Sequence, residues 1–127
     1  MRHPFPGPGL SVRIIGEVTP TKLEICKVAS KIVEEELMTA GLYEKVWQAY
    51  AAVGDDRAVW VVGDERRYVN IVMIRVVDSV DAMTADWTRL PHGLLEKMSN
   101  RITNEIEDVT WVTYTISSKP PATIEPQ

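Results

Sequence analysis

Ala58-Val59-Trp60-Val61-Val62 and Val69-Asn70-Ile71-Val72-Met73-Ile74-Arg75-Val76-Val77 flank Gly63-Asp64-Glu65-Arg66-Arg67, and the reading of this stretch decides the fold. Both runs are rich in Val, and the second also in Ile, residues that suit a pleated, half-buried surface. The charged segment between them opens with a glycine and is short enough to fold one run back on the other. The stretch therefore predicts a hairpin with a charged loop. The two runs are apolar almost throughout rather than alternating, and a strand apolar on both sides is buried on both sides. Whatever surrounds this hairpin has to cover two faces.

Upstream, Leu10 to Ile15 reads as a short strand closed by Gly16. Thr19 stands as an N-cap with Pro20 at the first helical position, where the missing N–H costs nothing. Ile25, Val28, Ala29, Ile32, Val33 and Leu37 recur at three- and four-residue spacing, which predicts a helix with one core-facing stripe, ended at Gly41. A second short helix is expected over Tyr43 to Ala52, stopping at Gly54-Asp55-Asp56. Downstream, residues 78–90 read as irregular. Leu94, Leu95, Met98, Ile102 and Ile106 mark a third helix that begins near Pro91 and ends at Glu107-Asp108. The last strand starts at Val109, with Val109, Trp111 and Thr113 facing opposite to Thr110, Val112 and Tyr114.

This β-α-α-β-β-α-β order predicts an α+β fold: a two-layer sandwich with a mostly antiparallel sheet and the helices on one face. Residues 1–127 are read as one domain. Val61, Val72, Ile74, Val76 and Trp111 belong to strands that ask for cover on the second face as well. In a chain of 127 residues a second copy is the economical cover, so a homodimer is expected. Its interface is placed near Asp64 and Arg66, which an isologous contact can pair across a two-fold axis.

Composition narrows the function. A net charge of -4 argues against a nucleic-acid binder, which needs a basic face. The Glu34-Glu35-Glu36 run reads as a solvated helix face. No apolar run approaches a membrane span and no leader pattern is seen, so a cytoplasmic location is expected. The single cysteine, Cys26, excludes an internal disulfide and reads as a small buried hydrophobe. With only His3 and His92 present, a histidine triad or zinc site is not expected. No catalytic residue and no metal site are assigned.

The chain ends are the most informative segments after the hairpin. Ser118-Lys119-Pro120-Pro121-Ala122-Thr123-Ile124-Glu125 places one cation, two fixed φ angles and one carboxylate just beyond the last strand. Read alone, the segment is either a loop built to receive an anionic ligand or a rigid exit from a sheet edge. At the other end, Arg2-His3-Pro4-Phe5-Pro6-Gly7-Pro8-Gly9 forms a stiff arm leading into the first strand. These two segments, Gly63-Asp64-Glu65-Arg66-Arg67-Tyr68 and Asp81-Ala82-Met83-Thr84-Ala85-Asp86-Trp87 occur in the order found in one family. The chain resembles the C-terminal domain of GMP synthase, the glutamine-hydrolysing ligase that aminates xanthosine monophosphate (XMP) to GMP with ATP.

The resemblance implies a dimerisation domain that also contributes substrate contacts. Carried over by position, Arg2, Lys119, Thr123, Ile124 and Glu125 bind XMP. A lysine and an arginine suit the phosphate, and an acceptor such as Glu125 suits the ribose hydroxyls or a base N–H. The chain departs from the family at Val62, where some members have Gln, and at Pro126-Gln127, where the family usually ends Trp-Glu. No Gly-rich phosphate loop followed by lysine is present. ATP, Mg and the chemistry are therefore expected in a separate ATP-pyrophosphatase domain or subunit, with ammonia from a glutamine amidotransferase domain or subunit. Residues 1–9 then read as the linker from the catalytic part, and this fragment alone is expected to be inactive. A stand-alone dimerisation or ligand-sensing module is the alternative.

Overall fold

In the computed structural model the described backbone comprises residues 13–62, 65–79, 85–107 and 109–117. The first helix forms as its punctuation dictates. It runs Pro20–Thr39 (α1), preceded by the short strand Ile14–Ile15 (β1). The Thr19 hydroxyl accepts from the Lys22 N–H at 3.2 Å, Pro20 occupies the first turn, and Gly41 closes the helix at φ +74°. The Leu42 N–H returns to the Leu37 carbonyl and the Gly41 N–H to that of Met38, the paired bonds of a Schellman cap. Ile25, Cys26, Ala29, Ile32, Val33 and Leu37 are all buried.

The helix expected over Tyr43 to Ala52 is corrected. Only Tyr43–Lys45 makes a single 3₁₀ turn, and the extended strand Gln48–Val62 (β2) follows at once. Its partner is Glu65–Ser79 (β3), antiparallel from Gln48 opposite Val77 to Val62 opposite Glu65, with an irregularity between Asp55 and Val59. Each arm of the hairpin is therefore 15 residues long. The alanines at 49, 51 and 52 suit a helix by propensity, but pairing with β3 outweighs a preference of under about 1 kcal/mol per residue.

Within residues 78–90, expected to be irregular, Ala85–Trp87 (β4) instead pairs antiparallel with the end of β3. The helix His92–Glu105 (α2) then leads to the strand Val109–Tyr114 (β5), which runs parallel to β3. β4 and β5 occupy the same side of β3, while β1 pairs parallel with β2. The five-stranded sheet is thus mixed, its longest ladder antiparallel, and with the two helices it makes the α+β sandwich. Between Val109 and Trp111 the β5 register shifts. Val109 therefore joins the buried core, while Trp111 and Thr113 are exposed, so Val109 does not share their face.

The principal core lies between the helices and one sheet face, where Ala49, Ala51, Val53, Val72, Ile74 and Val76 meet α1 and α2. On the far face Tyr50, Ala52 and Val77 form a smaller cluster with Trp47 and Met73. One end of the far face is therefore already buried within a single chain. The β5 end stays open, with Trp111 57% and Ile116 62% exposed.

Two polar contacts tie α1 down. The Ala51 N–H, on the side of β2 away from β3, donates to Ser30 Oγ at 3.0 Å, and its carbonyl accepts from Cys26 Sγ at 3.2 Å. Arg101 on α2 bonds Glu35 at 3.0 Å and Glu36 at 3.1 Å on α1, and Glu105 at 2.8 Å. Glu35 and Glu36 are thus inter-helix partners rather than a merely solvated face. Hydrogen bonding to Arg101 holds the Glu105 carboxyl below its ordinary value, and the same bonds raise the guanidinium pKa.

Ser30→Ala should cost about 1–3 kcal/mol in denaturant unfolding, because it strips the partner from a backbone N–H in a buried strand residue. Arg101→Met should lower stability at neutral pH. A carboxylate whose folded pKa is depressed contributes above its unfolded value near 4.5 and loses that contribution as pH falls through the folded value. The gap between wild type and variant should therefore narrow in melts taken at successively lower pH below 4.5.

Candidate functional site

Where the chain enters and where it leaves the described structure decides what a site could be made of. Arg13, immediately before β1, is buried, and its guanidinium lies 4.4 Å from the centroid of the Tyr50 ring. Tyr50 is paired in register with Arg75 on β3, and Arg75 is equally buried. Arg75 Nη1 donates to the Ser117 carbonyl at 2.6 Å. The three side chains Arg13, Tyr50 and Arg75 therefore form one cluster on the far face, and it joins the two ends of the chain. Beside it Gln48, opposite Val77, is 1% exposed, and its amide nitrogen and oxygen have no partner among the described residues.

The residues marked out from sequence stand just outside this frame. Arg2, Asp64, Lys119, Thr123, Ile124 and Glu125 lie outside the described residues. Arg66 is placed only as backbone in β3, opposite Val61. The structure nonetheless shows that Arg13 and Ser117, the inner ends of the two terminal segments, converge on a single face. Sequence reasoning passed over Arg13, Tyr50 and Arg75. The available signal was an arginine placed within the run Met73-Ile74-Arg75-Val76-Val77, where a strand core asks for an apolar residue.

The edge beside β5 is held by a second polar group. The Tyr114 hydroxyl donates to the Thr88 carbonyl, and Thr88 Oγ1 donates to Asp78 at 2.9 Å. Burial, and then the nearby Asp78 charge, raise the Tyr114 phenol above its ordinary value. Arg89 stacks 4.0 Å from the Trp87 ring centroid and pairs with Asp86, and Trp87 meets Tyr114 edge to face. These contacts tie the end of β5 to β4 and to the end of β3.

Elsewhere, an open groove of about 380 Å³ lies between the start of α1 and the end of α2. Pro20, Thr21, Glu24, Ile25, Ile106 and Glu107 line it. Two carboxylates without a cation make it a poor seat for a nucleotide phosphate. Among the described residues no three of His, Cys, Asp and Glu are grouped to hold a metal ion, and no helix is long and apolar enough to cross a membrane.

Comparison with known proteins agrees with the order of motifs. Residues 35–126 match the family model described as the GMP synthase C terminal domain. The chain is 63% identical over 125 residues to the GMP synthase [glutamine-hydrolyzing] of Pyrobaculum aerophilum, covering 98% of this chain and 25% of that protein. It is 56% identical over 124 residues to that of Nitratidesulfovibrio vulgaris strain DP4, covering 98% of this chain and 24% of the relative. The value for the same enzyme of Solidesulfovibrio magneticus is 59% over 124 residues, with the same coverage. The chain thus spans about a quarter of the length of the curated relatives it matches. By its matched residues and by its likeness to these relatives, the chain belongs to the GMP synthase C-terminal domain family.

Proposed function

We propose that this chain is the part of a glutamine-hydrolysing GMP synthase that holds XMP and dimerises the enzyme while a separate portion carries out the amination. The observation that carries this reading is that Arg13 and Ser117, the first and last described residues, both make contacts on one sheet face. Arg13 and Ser117, at opposite edges of the sheet, are linked across it through Tyr50 and Arg75, so the described chain has a contact on the same sheet face where it begins and where it ends. Two cations drawn from opposite ends of a chain can then meet one phosphate. Lys119 supplies a point charge and Arg2 a planar fork, and charge-assisted bonds of this kind are about twice as strong as neutral ones.

Glu125 accepts from ribose hydroxyls or a base N–H, with backbone groups of Thr123 and Ile124 beside it. Pro120-Pro121 limits the freedom that the tail has to lose on binding. ATP and Mg do not fit this chain, whose sequence has no lysine-bearing glycine loop to cradle phosphates. They are assigned to an ATP-pyrophosphatase portion, and glutamine hydrolysis to an amidotransferase portion. The contribution of this chain is binding, orientation and assembly.

Lys119→Ala in the complete ligase tests the tail. The affinity for XMP should fall about ten- to a hundredfold, the loss of one charge-assisted contact of about 1.5–3 kcal/mol, while the variant still folds. Unchanged affinity would leave the tail as a strand exit. Dimerisation is tested separately at the open β5 end of the far face. The Trp111 side chain, 57% exposed, is a large apolar group of the kind that anchors interfaces. Sedimentation of the ligase should report a two-fold particle, with Asp64 and Arg66 near its contact, and Trp111→Glu should shift it toward the monomer.

A further inference from the structure

Arg75 is an arginine in the middle of the longest strand pair, only 3% exposed, between Tyr50 of β2 and the exit of β5. Desolvating a guanidinium is costly, and a strand exit does not require one. What Arg75 does there is specific: it crosses 42 positions of sequence to bond the Ser117 carbonyl. The last ladder bond of β5 is the Thr115 N–H to the Ile74 carbonyl at 2.9 Å, so Ser117 already lies beyond the sheet. Apolar packing does not hold this stretch either, since Ile116 is 62% exposed and Ser117 is exposed. One charged hydrogen bond sets the direction in which the chain leaves.

We propose that Arg75 is a positioning residue for the phosphate-binding tail: by holding the Ser117 carbonyl against the far face, it fixes the point from which Lys119 reaches the nucleotide. The inference rests on the reading of the tail given above. Its part in this is a positioning one, exerted through the backbone carbonyl of Ser117. Lys119 follows two residues later, and two residues of chain can span at most about 7 Å. A root left free over that distance moves the ammonium by more than a hydrogen bond tolerates. Displacements of about 1 Å in a positioning element already cost about a hundredfold in some enzymes.

The test is made in the complete ligase carrying this stretch, with Arg75→Met, Arg75→Lys, Arg75→Gln and Lys119→Ala assayed side by side. Arg75→Met should raise KM for XMP about tenfold or more, equivalent to about 1.4 kcal/mol. KM for ATP and kcat should stay within about twofold of wild type, the mark of lost binding rather than lost chemistry. Arg75→Lys, which keeps a cation on a long stem, should recover part of the loss. A folded Arg75→Met enzyme with wild-type KM for XMP overturns the proposal. So does a parallel change in kcat and both KM values, which is what a purely structural role gives. If Arg75→Met does not fold, Arg75→Lys and Arg75→Gln decide: equal KM values for XMP overturn the proposal, and a higher value for Gln than for Lys supports it. A rise in KM with Lys119→Ala but not with Arg75→Met removes Arg75 alone. No rise with either removes the reading of the tail, and the role of Arg75 with it.

Discussion

Everything in this domain depends on the ladder between β2 and β3. Because side chains alternate across a strand, the register that sets Gln48 opposite Val77 sorts both arms at once. Ala49, Ala51 and Val53 fall on one face with Val72, Ile74 and Val76, and α1 and α2 close over them. Tyr50 and Arg75 fall on the other, where Arg13 and Ser117 arrive from the chain ends. A slip by one residue would send the apolar set to the far face and the arginine into the helical core. Fold and candidate site are therefore specified by the same pairing.

The legible parts of the fold were those carried by local chemistry. Thr19, Pro20 and Gly41 each act within a turn of themselves, and the ends of α1 follow from them. The hairpin follows from two Val-rich runs around a charged loop. Residues 43–52 were misread because their helical propensity is local while the partner that overrides it, β3, is distant in sequence. The β5 register shift and β4 escaped for the same reason, since both exist only through pairing with β3. As for the candidate site, Arg2 and Lys119 were marked out as motif residues, and both lie outside the described residues. The role of Arg75 was not visible, because a guanidinium amid apolar neighbours gains meaning only when the Ser117 carbonyl arrives beside it.

The charges are arranged to match this division. Acidic groups gather on the helical layer, where Glu35, Glu36 and Glu105 share Arg101 and Glu24 and Glu107 line the groove. Buried guanidinium groups gather on the far face.

The hydrogen bonds from α1 to Ala51 have a further consequence for how such domains can assemble. An outer strand normally offers its backbone groups to any extended chain that arrives, which is how sheets grow between molecules. On this side of β2, Ser30 and Cys26 engage the Ala51 amide and carbonyl, and β1 pairs with Val53 and Gly54. At Ala51, Val53 and Gly54 an arriving strand therefore finds the rungs already taken. Growth of the sheet by strand addition is thus blocked at these positions, whereas the broad side, where Trp111 stands open, is left uncovered within the single chain.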